Sequence, residues 1–269
     1  IRDVLGSRGL GDVYKRQAKT DPDDFTAVSD KIDIVYEDEN ILLVDKPVGM
    51  VVHEDESGDS DTLINRIKSY LYRKGEYHPE NELSFAPALC NRIDRNTCGI
   101  VIAAKNAESL RILNQKIRDR ELTKLYLCIA CGKVTPDSAT LTAYLEKNSD
   151  TNTVKISDKK TKSNLTIKTK YKVIAYNGEN SLLKVDLLTG RTHQIRAHFA
   201  YIGHALLGDG KYGNNKLNKK YGFKYQALCS YELQFKFTTD AGCLSYLDGK
   251  CFKAKAPDFV KMFGSNIKL

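Results

Sequence analysis

Residues 90–105 read CNRIDRNTCGIVIAAK and place one carboxylate, Asp94, between two guanidiniums, Arg92 and Arg95. A run of small and branched residues with the look of a buried strand follows at once. Two kinds of chemistry suit this arrangement. One is a structural ion pair, since charge networks perturb carboxylates without any catalysis. The other is a catalytic carboxylate that neighbouring cations keep ionised where a polyanion binds, because a nearby opposite charge favours the charged form.

A second dense block, LLTGRTHQIRAHFAYIGHALLGDGKYG, spans residues 187–213. Gly190 permits a tight turn, Thr192 is expected to cap the helix that follows, and Arg191 and Arg196 flank its first turn. Exposed amide donors at a helix start, joined by two guanidiniums, make a seat for phosphate or carboxylate. The histidines of this block invite a metal reading that geometry opposes. His193 and His198 are five apart, about 140° round a helix of 3.6 residues per turn, whereas two-histidine zinc helices use a spacing of four. His193, His198 and His204 are therefore read as polar groups of helix and loop. Cys128 and Cys131 form a C-x-x-C, but on an alternating, strand-like segment that puts their sulfurs on opposite faces. No metal is expected.

The elements that must position these residues are legible in the spacing of apolar positions. IDIVYEDENILLVDKPVGMVVH gives two short strands about a turn at Asp38-Glu39-Asn40, the second ending at Lys46-Pro47-Val48-Gly49. Leu63, Ile64, Ile67 and Leu71 make an amphipathic helix with Asp61 as expected N-cap and Gly75 beyond its end. A second helix is expected over Ala107–Arg120, capped by Asn106, with Leu110, Leu113 and Ile117 inward. Strands are expected near Lys124–Cys131, Ala139–Leu145, Ser163–Tyr176 and Ser181–Leu188. ALCSYELQFKF alternates at Cys229, Tyr231, Leu233, Phe235 and Phe237 to give a further strand, and Ile195, Phe199 and Ile202 share one helical face. Hairpin succession with a few helices laid against it argues an α+β fold: a mixed, mostly antiparallel sheet with flanking helices and a central cleft. Residues 1–30 lack periodicity and are read as a disordered leader, truncated or adventitious, ahead of one catalytic domain over 31–269.

Composition narrows the partner. Between Thr151 and Tyr225 fifteen Lys and Arg face four Asp and Glu, while between Asp21 and Leu89 six face seventeen. Such asymmetry suits one face turned to an anionic polymer, although surface lysines also merely solvate strands. No apolar run approaches the roughly 20 residues of a membrane span, and the N-terminus lacks the order of a signal peptide. Seven scattered cysteines without an export signal read as reduced thiols in a cytoplasm.

The two dense blocks, NRIDRNTCGIVIAAK and TGRTHQIRAHFAYIGHALLGDGKYG, resemble the signature blocks of the RluA-type pseudouridine synthases. VYEDENILLVDKPVGMVVH resembles that family's opening and LTKLYLCIACG its middle strand, so four blocks follow in one order from about Ile34 to KAKAP near the end. The resemblance implies a pseudouridine synthase catalytic fold. It implies that Asp94 is the catalytic aspartate, that Arg92 enters the RNA stack as the target uridine leaves, and that Tyr126 stacks on the target base. It further implies that Arg196 is the basic partner of the aspartate; Arg191 reads as a phosphate contact. Asn91 stands where the family often has His. Many relatives carry a small RNA-binding domain ahead of the catalytic one, and the leader is too short for it.

The implied reaction breaks the bond from ribose to uracil nitrogen, turns the ring and rejoins it through carbon, so it consumes no cofactor. A uridine in folded RNA must first be flipped out, at a cost of roughly a few kcal/mol. The expected partner is structured RNA, ribosomal before transfer RNA, and the expected working unit is a monomer. Two other classes stay open: an RNA-binding module of this fold without catalysis, and a nucleoside hydrolase. Hydrolytic glycosidases use two carboxylates about 5 to 9.5 Å apart. Besides Asp94 the blocks offer only Asp209, whose GDGKYG setting reads as a turn.

Overall fold

Strands that are apolar on both faces must be covered on both, and Ile41–Lys46 and Cys98–Ala104 are such strands. They occupy the middle of one half of the fold. The computed structural model describes residues 23–54, 59–81, 85–148, 151–265 and 267–269. Its strands are β1 (Asp33–Glu37), β2 (Ile41–Lys46), β3 (Ala88–Leu89), β4 (Cys98–Ala104), β5 (Leu122–Cys131) and β6 (Ser138–Asn148), then β7 (Thr153–Ser157), β8 (Leu165–Tyr176), β9 (Asn180–Asp186), β10 (Leu228–Phe235) and β11 (Cys251–Lys253). They form one sheet in the order β1-β2-β4-β10-β5-β9-β8-β6-β7, with β3 added to β4 and β11 to β10. Among the described strands β4 and β10 are the one parallel pair; the others run antiparallel. The mixed, mostly antiparallel α+β architecture is the expected one.

The helices are α1 (Asp23–Thr26), α2 (Leu63–Arg73), α3 (Ala107–Arg118), α4 (Gln194–Tyr201) and α5 (Asn215–Lys220). Leu63, Ile67 and Leu71 of α2 and Ile195 and Phe199 of α4 pack on one face of the sheet, against Leu42, Val44, Val101, Tyr171 and Val185. Ile112 and Leu113 of α3 cover the opposite face over Ile41, Leu43, Ile100 and Ile102. The same strands feed both cores by strict alternation. No helix among the described residues is long and apolar enough to cross a membrane.

Several local expectations shift. The N-cap of α2 is Thr62, whose side chain accepts the Asn65 amide, while Asp61 pairs with Arg66; two adjacent cap-competent residues cannot be ranked by type alone. Asn106 does cap α3, but the helix ends at Arg118 and its most buried positions are Ser109, Ile112, Leu113 and Lys116. Leu110 and Ile117 are half-buried at the stripe's edge, because Lys116 is drawn inward by Glu121 at 2.6 Å. β10 is covered on both faces, where alternation alone would allow one wet face. β7 was not anticipated, since TVKIS is too short and polar to stand out. Of the leader, residues 1–22 lie outside the described residues. Its last part is structured: Phe25 and Val28 are buried, and the Phe25 ring lies 5.7 and 5.6 Å from those of Tyr72 and Tyr77.

The parallel seam places the starts of β4 and β10 at one end of the sheet, so the segments leading into both open on the same side. Closure of the seam depends on Gly99, which pairs with Ser230 at φ +107°. A Cβ there would lie 2.2 Å from the Ser230 carbonyl oxygen. Gly99→Ala combines backbone strain of about 1–3 kcal/mol with an overlap of about 1–3 kcal/mol. A loss of about 3 kcal/mol is expected, seen as a fall in the thermal midpoint of about 6 °C or more. An unchanged midpoint would show that the seam relaxes freely.

Candidate active site

A cleft of about 790 Å³ opens at the end of the seam, lined by residues 90–97, Tyr126, the approach to β10 and the start of α4. Ligand sites commonly span roughly 300–1,000 Å³. Asp94 stands in the segment between β3 and β4. Its carbonyl accepts the Thr97 amide at 3.0 Å, and the Asn91 side-chain oxygen accepts the Ile102 amide at 2.8 Å. The next carbonyl, that of Arg95, accepts the Gly49 amide at 2.9 Å.

That carbonyl also accepts from a buried lysine. Lys46, at the end of β2, has no solvent exposure and donates from Nζ to the carbonyls of Pro47 (2.8 Å), Met50 (2.8 Å) and Arg95 (3.0 Å). Burial pushes the amine down to about 8, which leaves it a cation at neutral pH. One ammonium with three carbonyl acceptors thus ties the turn after β2 to the segment bearing Asp94.

Arg196 enters from α4 and is almost fully buried. Its Nε and Nη2 donate to the two oxygens of Asp209 at 2.7 and 2.9 Å, and Nη1 donates to Asp94 Oδ2 at 2.8 Å. Asp209 has no solvent exposure, and its Oδ1 also accepts the amides of Lys211 and Tyr212 at 2.8 and 3.0 Å. Burial works against the charge on Asp209, but the hydrogen bonds and charge of Arg196, with the two amides, outweigh it and hold the carboxyl below its usual range. Burial likewise opposes the charge on Arg196, and Asp209 and Asp94 raise it above its ordinary value. The fork on Asp209 fixes the plane of the guanidinium and leaves one N–H edge for Asp94. Asp94 is the open member of the set, its side chain 29% exposed.

Tyr126, on β5, is buried at the floor of the cleft, where burial pushes its phenol up to about 12 and keeps it neutral. Arg92 and Arg191 are exposed on the rim. The structure thus brings Asp94, Tyr126 and Arg196 to one point and leaves the two other arginines at the mouth. α4 is not capped by Thr192. The residue before its first turn is His193, at φ +50° and with no side-chain cap. Gln194 closes the helix start instead: its amide donates to the Arg191 carbonyl at 3.0 Å, and its side-chain oxygen accepts the Arg191 amide at 3.2 Å. The three imidazoles diverge, His193 to the Tyr212 hydroxyl, His198 to Thr169 and His204 to the Cys131 carbonyl.

Sequence reasoning missed Asp209, Lys46, His193 and Tyr212 as members of this site. For Asp209 the turn reading is correct as far as it goes, since Oδ1 does close a local turn. Its pairing with an arginine thirteen residues earlier has no local signal. A lysine at the end of an apolar strand, as in ILLVDKP, was the one available hint for Lys46.

Comparison with known proteins shows the family and the fold. A family model described as RNA pseudouridylate synthase matches residues 40–201. An RNA pseudouridine synthase of Mycoplasma genitalium is 37% identical over 215 residues, covering 77% of this chain and 64% of the relative. Ribosomal large subunit pseudouridine synthase D of Borreliella burgdorferi is 33% identical over 182 residues, covering 68% and 55%. The chain spans between 55% and 65% of the length of these relatives and of a second Mycoplasma protein. Human RNA pseudouridylate synthase domain containing 4 shares the fold with a TM-score of 0.67 at 18% identity, over 86% of this chain and 90% of that one.

The Asp209–Arg196 fork generates a stability prediction. The Asp209 carboxyl titrates lower in the folded chain than its ordinary 3.8. Its contribution is therefore complete above about pH 4 and is lost as pH falls through the lowered folded value. Asp209→Asn leaves a buried guanidinium short of one carboxylate and is expected to cost about 3 kcal/mol at pH 7. The deficit relative to the parent should shrink as unfolding is measured at progressively lower pH below 4. A deficit that is constant with pH would rule out the ion pair as its source.

Proposed function

Because the chain belongs to the RNA pseudouridylate synthase family, we propose that it isomerises uridine to pseudouridine within structured RNA, acting on ribosomal before transfer RNA. The observation that carries this reading is Asp94, a partly exposed carboxylate fixed by Arg196 in a cleft rimmed by Arg92 and Arg191. Asp94 is the catalytic carboxylate. Arg92, at the mouth, fills the stack vacated by the flipped uridine, and Tyr126 stacks on the base. Arg191 contacts phosphate. Together these offset the roughly few kcal/mol of unstacking. The reaction moves one bond within one nucleotide, neither oxidises nor adds anything, and calls for no cofactor. The name of the Borreliella relative supports a ribosomal target. The working unit we propose is a monomer in the cytoplasm, its catalytic domain over residues 31–269 joined by the packed Phe25 and Val28.

The hydrolase reading loses ground to geometry. A second carboxylate is present, but both oxygens of Asp209 are engaged by Arg196 and by two amides, and none of its surface reaches solvent. It has no position from which to activate water. The binding-module reading is less favoured because a module needs no buried triad behind a partly exposed carboxylate.

Asp94→Asn is expected to abolish pseudouridine formation while leaving RNA affinity near the parent's, as read by mapping pseudouridines in ribosomal and transfer RNA with each protein added back. Activity within a few-fold of the parent would refute the assignment. Binding should also weaken steeply with salt, and removing one phosphate-contacting cation should flatten the slope of log affinity against log salt by about one unit. A flat salt response would point to a small nucleoside substrate.

A further inference from the structure

The hydroxyl of Tyr212 has two partners among the described residues. The Val154 amide of β7 donates to it at 2.9 Å, and His193 Nδ1 lies 2.9 Å away on its other side. An amide nitrogen cannot accept, so among the described residues Nδ1 is the one acceptor placed to take the hydroxyl proton. A neutral imidazole that accepts at Nδ1 carries its proton on Nε2. That Nε2 sits 3.9 Å from Asp94 Oδ2, too far for a hydrogen bond. The donor and the carboxylate therefore stand side by side at the cleft, where one substrate can face both.

Two further features point the same way. His193 holds φ +50°, a conformation a β-substituted residue adopts only when its surroundings impose it, and such outliers cluster at functional sites. Its ring packs edge-on to Tyr212 at 5.6 Å, and Arg196 lies over the same tyrosine ring at 5.3 Å, so Tyr212 braces both groups that face Asp94. Burial is the largest influence on His193 and lowers its proton affinity; Asp94 and Asp209 oppose that, while Arg196 and Lys211 add to it. The ring is neutral at physiological pH and does not compete with Arg196 for Asp94.

We propose that His193 touches the substrate: its Nε2–H donates to a carbonyl oxygen of the flipped uracil and stabilises the negative charge the ring carries while detached from ribose. This rests on the uridine-isomerising reading above. When the bond between ribose carbon and ring nitrogen breaks, the electron pair stays with the ring and spreads onto its carbonyl oxygens. The pair returns to ribose through ring carbon as the new bond forms; that carbon then gives its proton to solvent and the ring nitrogen freed from ribose takes one up, so the nucleotide keeps its atoms and charge. His193 neither gains nor loses a proton. A fixed donor aimed where charge develops acts mainly on the rate of the bond-breaking step and little on RNA affinity.

The test compares parent, His193→Ala, His193→Gln and Tyr212→Phe on deproteinised ribosomal RNA from cells lacking this protein, under single turnover at saturating enzyme. His193→Ala should lose about 10²-fold in rate with RNA affinity near the parent's. His193→Gln, which restores a neutral donor near the Nε2 position, should recover a large part of that loss. Nitrogen-15 spectra of the parent's imidazole at neutral pH should show the proton on Nε2, and Tyr212→Phe should show both tautomers. A His193→Ala rate within about threefold of the parent's, where the expected effect is about 10²-fold, overturns the inference. So does a parent ring protonated on Nδ1 or on both nitrogens, a result that holds even if the alanine variant fails to fold. A parent that binds RNA and forms no pseudouridine would instead overturn the functional reading.

Discussion

A guanidinium removed from water must be matched by carboxylates close enough to repay its lost hydration, and the cleft is organised around that requirement at Arg196. Two carboxylates meet it from opposite sides. Asp209 is wholly buried and bonded at both oxygens, so its charge is used up in holding the arginine. Asp94 shares the remaining N–H edge and keeps a surface open to the cleft. The triad carries one net negative charge, and the geometry puts it on the member that solvent and ligand can reach. An isolated Asp–Arg pair would leave the guanidinium free to swing; the second carboxylate removes that freedom.

The sheet makes this meeting possible. Asp94 and Arg196 are 102 residues apart; the Asp94 segment leads into β4 at its parallel seam with β10, and α4 brings Arg196 to it from its seat against β6, β7 and β8. Close approach at Gly99 is the local condition for that seam. Lys46 is its counterpart at the other side of the Asp94 segment, joining three carbonyls from two turns. Tyr212 and Lys211 hold the β6–β7 hairpin from the remaining side, through the Val154 amide and the Asn152 carbonyl. The Asp94 segment, Arg196 and the β6–β7 hairpin are thus each fixed by polar bonds between segments distant in sequence.

How far all this is legible in the sequence depends on the range of each interaction. Elements governed by neighbours were readable: the β1–β2 turn at Asp38–Asn40, the Asn106 cap, and the alternation of β5 and β10. Local ties were misjudged by one residue or one face, as with Thr62 in place of Asp61 and Ile112 in place of Ile117, because adjacent residues of similar type differ only in tertiary context. Asp94, Arg92, Tyr126, Arg191 and Arg196 stood out through ordered signature blocks. Nothing within a few residues of Asp209 or Lys46 shows what lies across the cleft from it. The left-handed backbone of His193 was equally hidden, since T-H-Q offers a better cap at Thr192 and the structure spends that position differently.

The parallel pairing of β4 with β10 also bears on when the molecule becomes competent. The Ser230 hydroxyl reaches the carbonyl of Ile100, 130 positions earlier in the chain, and contacts of that separation carry a closure entropy and slow folding. During synthesis the segment bearing Asp94 emerges before β10; β3 covers Ala103 and Ala104 on that side of β4, and Cys98 and Gly99 have no strand partner there until β10 has left the ribosome. Arg196 and Asp209 are both made before β10, and they too depend on it for a finished floor beneath them. A chain still being translated therefore holds the chemical groups without the seam that aligns them until β10 has emerged.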